Sequence, residues 1–336
     1  TRTARRLRSG GLLESETEGL RLTDDGLREA RSVVRKHRLW ELYLTRRLDL
    51  LTGGARDSPE RHKTLRQAIA WSYELLGPEA QALFRRLSAF DGGATLESAQ
   101  AVCGADLDCE ARAYESLGAL TDQSLVRCED GRDGEPRFSM LESIRAFGLE
   151  KLQEQGEDGV VRRAHADYFL ELAEAAEPLL TGPEQSEALD RLDAEHENFR
   201  AAMQWSRQSG ALETGVRFGA ALWRFWISRN HMHEGRPLLA SLLEAAGDDV
   251  PAPVRAKALY GLGTLCHYQG DLRAAAETLG NSLAVSREIG QPGELGRSLA
   301  GLGWVRTLLG DFEQGGALSE QALTAFRETG DARGMA

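Results

Sequence analysis

The chain has few cysteines, and none is placed for metal or disulfide chemistry. Cys103, Cys109, Cys128 and Cys266 include no CxxC pair, which argues against a thiolate zinc site and against a disulfide framework. A reduced, cytoplasmic setting is the expectation that follows. No apolar run approaches the roughly 18–20 residues that a membrane-crossing helix needs, so no membrane partner is expected. GxxxxGK[ST] is absent from the sequence, as are GxSxG and HExxH. Nothing in it therefore promises P-loop phosphate binding, a nucleophile elbow or zincin chemistry, and an enzyme is not expected.

The remaining composition is that of a globular protein, with 41% hydrophobic and 28% charged residues. The net charge of -11 is unevenly spread. Residues 1–66 carry a surplus of +6 and the rest of the chain -17. A basic head on an acidic body suits a head that meets phosphate and a body that repels it. The last residues, GDARGMA, break off within a repeat, which leads us to expect a portion of a longer protein.

The repeat can be counted. ALYGLGTLCHYQGDLRAAAETLGNSLAVSREIG (258–290) aligns with SLAGLGWVRTLLGDFEQGGALSEQALTAFRETG (298–330). Gly261/Gly301, Gly263/Gly303, Gly270/Gly310, Asp271/Asp311 and Gly290/Gly330 all fall 40 apart. A further step back reaches Leu222, Asn230 and Leu243 in a more degenerate copy. Gly and Asn are the residues that best tolerate the left-handed conformation ending a helix. Each unit therefore reads as two antiparallel helices, the first closed by Asn230, Gly270 or Gly310. Small residues such as Gly261, Gly263 and Ala300 let the first helices pack closely. One such pair cannot bury its apolar stripe, so the units must stack. The pattern resembles a tetratricopeptide array, which implies a surface for a protein or small-molecule inducer. His231, His233 and Glu234 cluster at one inter-helix turn, but side chains two apart diverge on a helix and no third metal ligand is identifiable.

Between residues 64 and 155 the pattern is helices, hairpin, helix. Leu65, Ile69, Tyr73 and Leu76 form one stripe, and Pro78 opens a second helix with Ala82, Leu83, Leu87 and Phe90 inward. SLVRC (124–128) and RFSM (137–140) read as a hairpin across a turn-rich EDGRDGEP. Ser139 and Glu142 have the spacing of a capping box for the helix that follows. This is the order of a winged helix. Its candidate recognition helix, EARAYESLGAL, holds one Arg and two Glu, a poor grip on phosphate, so a protein-facing role is expected.

Three segments carry a resemblance: residues 47–90 (RLDLLTGG…RRLSAF), MLESIRAFGLEKL and LDAEHENFRAAMQW (192–205). They look like the helical and winged-helix region of bacterial STAND ATPases allied to AfsR- and LuxR-type regulators, over residues 46–336. The resemblance implies a nucleotide-gated switch with a tetratricopeptide sensor. It also places Met140, Leu141 and Glu142 at a Met-His-Asp nucleotide-sensor position. Core and helix cap are the alternative roles for Leu141 and Glu142.

The head follows a different script. Arg2, Arg5, Arg6 and Arg8 sit on a basic helix, LLESETEGLRLT (12–23) forms a short hairpin, and Thr23 caps a long helix. RLTDDGLREARSVVRKHRLWELYLT resembles the diphtheria-toxin-repressor class of iron- and manganese-dependent regulators. The resemblance implies DNA contacts by those arginines within residues 1–23, and Mn or Fe on His37 and Glu41. Four apart, these two share a helix face, which equally suits a solvated His–Glu pair.

The expected organisation is a fold that is predominantly α-helical. A partial repressor-like winged helix covers 1–45, a linker 46–63, a winged-helix domain 64–155 and helical repeats 160–336. The leading functional expectation is a non-catalytic regulatory and protein-interaction portion of a signal-transduction or transcriptional regulator. The alternative is a metal-dependent DNA-binding repressor acting through the N-terminal winged helix.

Overall fold

A computed structural model describes residues 13–16, 19–22, 59–104, 110–131 and 135–330. Residues 1–68 and 69–336 separate into two compact units. In the first, β1 (Leu13–Glu16) and β2 (Gly19–Leu22) pair antiparallel, with Leu13 opposite Leu22 and Glu16 opposite Gly19. The hairpin expected over 12–23 is present. Thr23 and the helix expected after it lie outside the described residues.

The division falls within helix α1 (Pro59–Glu74), and the second unit continues with α2 (Pro78–Leu87). Ile69 and Leu76 are buried as the stripe requires, whereas Leu65 is 46% exposed. In α2 the inward residues are Ala80, Leu83, Phe84 and Leu87. Ala82 is only partly buried, because Phe84 takes the inward place and packs on Tyr73 at 5.4 Å between ring centroids. Phe147 closes this aromatic group from the far side, 5.8 Å from Tyr73.

A two-residue strand, β3 (Ala94–Thr95), leads into α3 (Leu96–Cys103), and α4 (Glu110–Asp122) follows. Thr95 caps α3 with its hydroxyl on the Ser98 N–H, and the Ser98 hydroxyl accepts the Thr95 N–H in return. The wing is β4 (Arg127–Asp130) and β5 (Pro136–Ser139), paired with Cys128 opposite Phe138. β4 starts three residues later than the SLVRC reading, because Ser124 turns at φ 57° and drops Leu125 and Val126 into the core. β3 then adds to the free edge of β5, giving a three-stranded sheet ordered β3–β5–β4. Gly93 makes that junction possible: at φ +77°, a Cβ there would lie 2.8 Å from the Phe138 carbonyl oxygen.

α5 (Glu142–Glu154) corrects one expectation. Its N-cap is Leu141, with no side-chain cap, so Ser139 and Glu142 form no capping box. Ser139 is instead held in the ladder opposite Arg127, two residues short of the cap.

From α6 (Asp158–Ala176) onward the unit is all helix. A 3-10 turn (Glu177–Thr181) leads to α7 (Gln185–Ala194) and α8 (His196–Ser209). Three hairpins of helices then follow: α9 (Leu212–Ser228) with α10 (Met232–Ala246), α11 (Ala252–Tyr268) with α12 (Leu272–Ile289), and α13 (Pro292–Leu308) with α14 (Phe312–Thr329). The helix starts repeat at 40 residues, and the first helices close at Asn230 (φ 64°), Gly270 (φ 82°) and Gly310 (φ 90°). Asp271 and Asp311 cap the second helices through the N–H groups of Ala274 and Gln314. The stack buries its apolar stripes between neighbouring pairs and resembles tetratricopeptide repeats. No helix among the described residues is long and apolar enough to cross a membrane.

Candidate functional site

Two features of the second unit use polar side chains in ways that packing alone does not require. The first joins the winged helix to the helix stack. Asn198, fully buried on α8, receives the Asp91 and Gly92 N–H groups on its Oδ1 at 3.1 and 3.3 Å. Its Nδ2 donates to the Gly93 carbonyl at 3.0 Å and to the Glu195 carboxylate at 2.7 Å. Glu195 is in turn gripped by both terminal nitrogens of Arg137, at 2.8 and 2.7 Å. Arg137 sits on β5, and its Nε donates to the Gly92 carbonyl at 2.8 Å. The loop Asp91–Gly93, which ends the α2 region and starts the sheet, is thus clasped by one amide from the stack and one guanidinium from the wing. A fork-to-carboxylate pair of this kind is charge-assisted and geometrically demanding, so it fixes orientation as well as adding strength.

His165 on α6 completes the joint, with Nε2 3.4 Å from the Asn198 Oδ1. Its ring lies 5.0 Å from Phe90 of the winged helix and 4.6 Å from Phe169 of its own helix. Burial lowers its pKa to about 4, partly opposed by the Asn198 bond and reinforced by nearby Arg162. The imidazole is therefore neutral at physiological pH. At the rim, Asp91 also pairs with Arg145 of α5 and Arg200 of α8, at 3.3 and 3.5 Å.

The second feature lies on the face made by the first helices. Trp223 of α9 rests on Gly261 of α11, where an added Cβ would come within 2.8 Å of the indole. Tyr260 of α11 rests likewise on Gly301 of α13, at 3.0 Å. The two rings meet edge to face, 5.6 Å apart. Above Trp223 lies the Arg224 guanidinium, its central carbon 4.0 Å from the ring centroid. Arg217, Lys257 and Arg297 recur at 40-residue spacing on the same helices and are each paired, with Glu174, Glu177 and Glu294 respectively.

Of the sites expected from sequence, His37, Glu41, Arg2, Arg5, Arg6 and Arg8 lie outside the described residues. Met140 is partly buried against the core, while Leu141 is exposed at the α5 N-cap. Glu142 forms an exposed ion pair with Arg145 at 3.0 Å. The three are therefore dispersed between core, cap and solvent. His231 stacks on His196 with ring centroids 3.9 Å apart, Glu234 reaches His196 at 3.3 Å, and His233 is exposed. Among the described residues no group of three or more His, Cys, Asp or Glu could hold a metal ion. Sequence reasoning missed the Asn198 joint, although Glu195 and Asn198 stand in the quoted LDAEHENFRAAMQW. Two polar residues one turn apart beside Phe199, Ala202 and Met203 were the available signal.

Residues 76–153 match the model of a family described as a winged helix-turn-helix domain. A Mycobacterium tuberculosis protein with the provisional name HTH-type transcriptional regulator is 36% identical over 265 residues, spanning 76% of this chain and 29% of that protein. An uncharacterised M. tuberculosis protein is 39% identical over 124 residues, or 36% of this chain and 31% of that one. The chain thus spans less than a third of either relative's length. Among solved structures, a STAND protein with a tetratricopeptide repeat sensor from Pyrococcus horikoshii aligns over 78% of this chain and 46% of its own, at 14% identity and a TM-score of 0.32. BtubC from P. vanneervenii aligns over 70% and 90%, at 17% identity and a TM-score of 0.40.

Proposed function

We propose that this chain is the sensing and relay portion of a transcriptional regulator. The helix stack takes the signal, and the Asn198–Glu195–Arg137 joint couples it to the winged helix. That joint is the observation that carries the reading: hydrogen bonds of the Asp91–Gly93 loop of the winged helix are completed by α8, the helix leading into the repeats. The relatives' name supports a role in transcription. Chemistry is left to other parts of the assembly, and the setting is cytoplasmic.

The described exposed face of α4 bears Tyr114, Glu115, Gly118, Thr121 and Asp122. It offers carboxylates and no cation where duplex binding needs several cations. The winged helix therefore relays through contact with protein, including a nucleotide-switch domain of the STAND kind. Direct DNA contact falls to Arg2, Arg5, Arg6 and Arg8, with Mn or Fe on His37 and Glu41 as its regulator.

Fluorescence anisotropy with a labelled duplex separates these roles. Any salt-sensitive binding by the full chain is expected to vanish when Arg2, Arg5, Arg6 and Arg8 are all changed to Ala. It is expected to be unmoved by Tyr114→Ala. Binding that survives the first change and is lost on the second would overturn the protein-facing assignment of the winged helix.

A further inference from the structure

Arg224 is the feature that the relay reading leaves unused. Among the described residues its guanidinium makes no hydrogen bond and no ion pair, and it rests instead over the face of Trp223. The groups that bear on it electrostatically are Tyr260, Glu177, Arg297 and Glu294. Both carboxylates are already engaged, Glu177 by Lys257 and Glu294 by Arg297. Three cations and two anions leave one net positive charge, on a chain whose total is -11. Half-burial strips water from the guanidinium and leans its pKa downward. A partly exposed, always-charged fork without an internal acceptor keeps its N–H donors open to an acceptor from outside.

We propose that Arg224, stacked on Trp223 beside Tyr260, is the anchor for the carboxylate of a small organic acid bound on the first-helix face. The guanidinium stays over the indole and turns N–H donors outward to the two carboxylate oxygens, the bidentate geometry that Arg favours. Tyr260, edge-on to Trp223, gives a flat apolar body a wall to lie against. The single uncompensated charge selects a monoanion. A polyacidic peptide would instead meet Glu177 and Glu294. This rests on the stack being the sensing half, but it concerns ligand chemistry alone and is read by binding, without DNA or the winged helix.

The test is isothermal titration of the full chain with phenylacetate, with phenylacetamide as the uncharged control and a short peptide ending in a free phenylalanine carboxylate as the chain-terminus control. Intrinsic fluorescence is followed in parallel. Saturable binding of phenylacetate, at least tenfold weaker for the amide, is expected. Arg224→Gln should weaken it tenfold or more, and Arg224→Lys should recover part of the loss. Trp223→Phe, which shrinks the aromatic platform under the guanidinium, should weaken binding and lose the fluorescence response. Circular dichroism and melting temperature confirm that each variant is folded. Equal binding of acid and amide, unchanged binding by a folded Arg224→Gln, or no saturable response to phenylacetate would overturn the proposal. Binding of the peptide alone would overturn the small-molecule assignment.

Discussion

Acid should loosen this protein through His165 before it titrates most carboxylates. The imidazole is buried against Phe90, Phe169 and Asn198, with its pKa lowered from 6.5 to about 4. A depressed pKa means that the unfolded chain takes up the proton first. The neutral native form is therefore fully favoured above pH 6.5, and this contribution is lost as pH falls from 6.5 towards 4. At pH 5 the unfolded histidine is almost wholly protonated and the native one about a tenth, so the loss between pH 8 and pH 5 is about 2 kcal/mol. It levels off at ~3 kcal/mol below pH 4. Urea denaturation at half-unit steps of pH measures this directly, with His165→Gln as the reference that keeps a polar side chain without the titration. The difference between the two stability curves should shrink by about 2 kcal/mol on acidification, whatever the carboxylates contribute to both. Parallel curves from pH 8 to pH 5 would refute a buried neutral imidazole at the joint.

Two glycines inside first and second helices should respond oppositely to alanine. Gly261→Ala should destabilise by about 1–3 kcal/mol, since its Cβ would meet Trp223 at 2.8 Å, whereas Gly280→Ala, with open space around it, should gain up to ~1 kcal/mol; melting temperatures decide. Asn230→Gly should be neutral or slightly stabilising at φ 64°, and Asn230→Ala should cost ~1 kcal/mol in the same assay. Alkylation of the native chain followed by peptide mapping should modify exposed Cys128 well before Cys103, whose thiol burial pushes up to about 12. Faster labelling of Cys103 would contradict the packing of α3.

How much of this was legible in the residues depends on whether a local rule or a distant contact decides the structure. The repeat was legible because its turns use the few residues that tolerate positive φ, so Asn230, Gly270 and Gly310 stand out by type as well as by spacing. The winged helix was legible through Pro78, the apolar stripes and the turn-rich hairpin. What escaped notice was decided by partners far along the chain. β3 exists because Gly93 can approach Phe138, more than forty residues later, and a two-residue strand leaves no periodicity to find. Ser139 and Glu142 had the right spacing for a cap, but the cross-strand pairing with Arg127 claimed Ser139 first. The candidate sites divide in the same way. The glycines that seat Trp223 and Tyr260 were visible as small residues at close approaches. The isolation of Arg224 was not, because it depends on which neighbours Glu177 and Glu294 choose.

One buried amide on α8, that of Asn198, holds the winged helix to the helix stack. Removing it takes the acceptor from the Asp91 and Gly92 N–H groups, at about 1–3 kcal/mol each, while the Gly93 carbonyl keeps its bond from Arg137. Hydrogen exchange by mass spectrometry on Asn198→Ala reads the consequence at a distance. Faster exchange is expected in peptides covering 84–95 and 136–148, far from residue 198 in sequence, with Gly280→Ala showing no such change. Acceleration confined to 190–210, with the winged-helix peptides as protected as in the unaltered chain, would contradict such a hold.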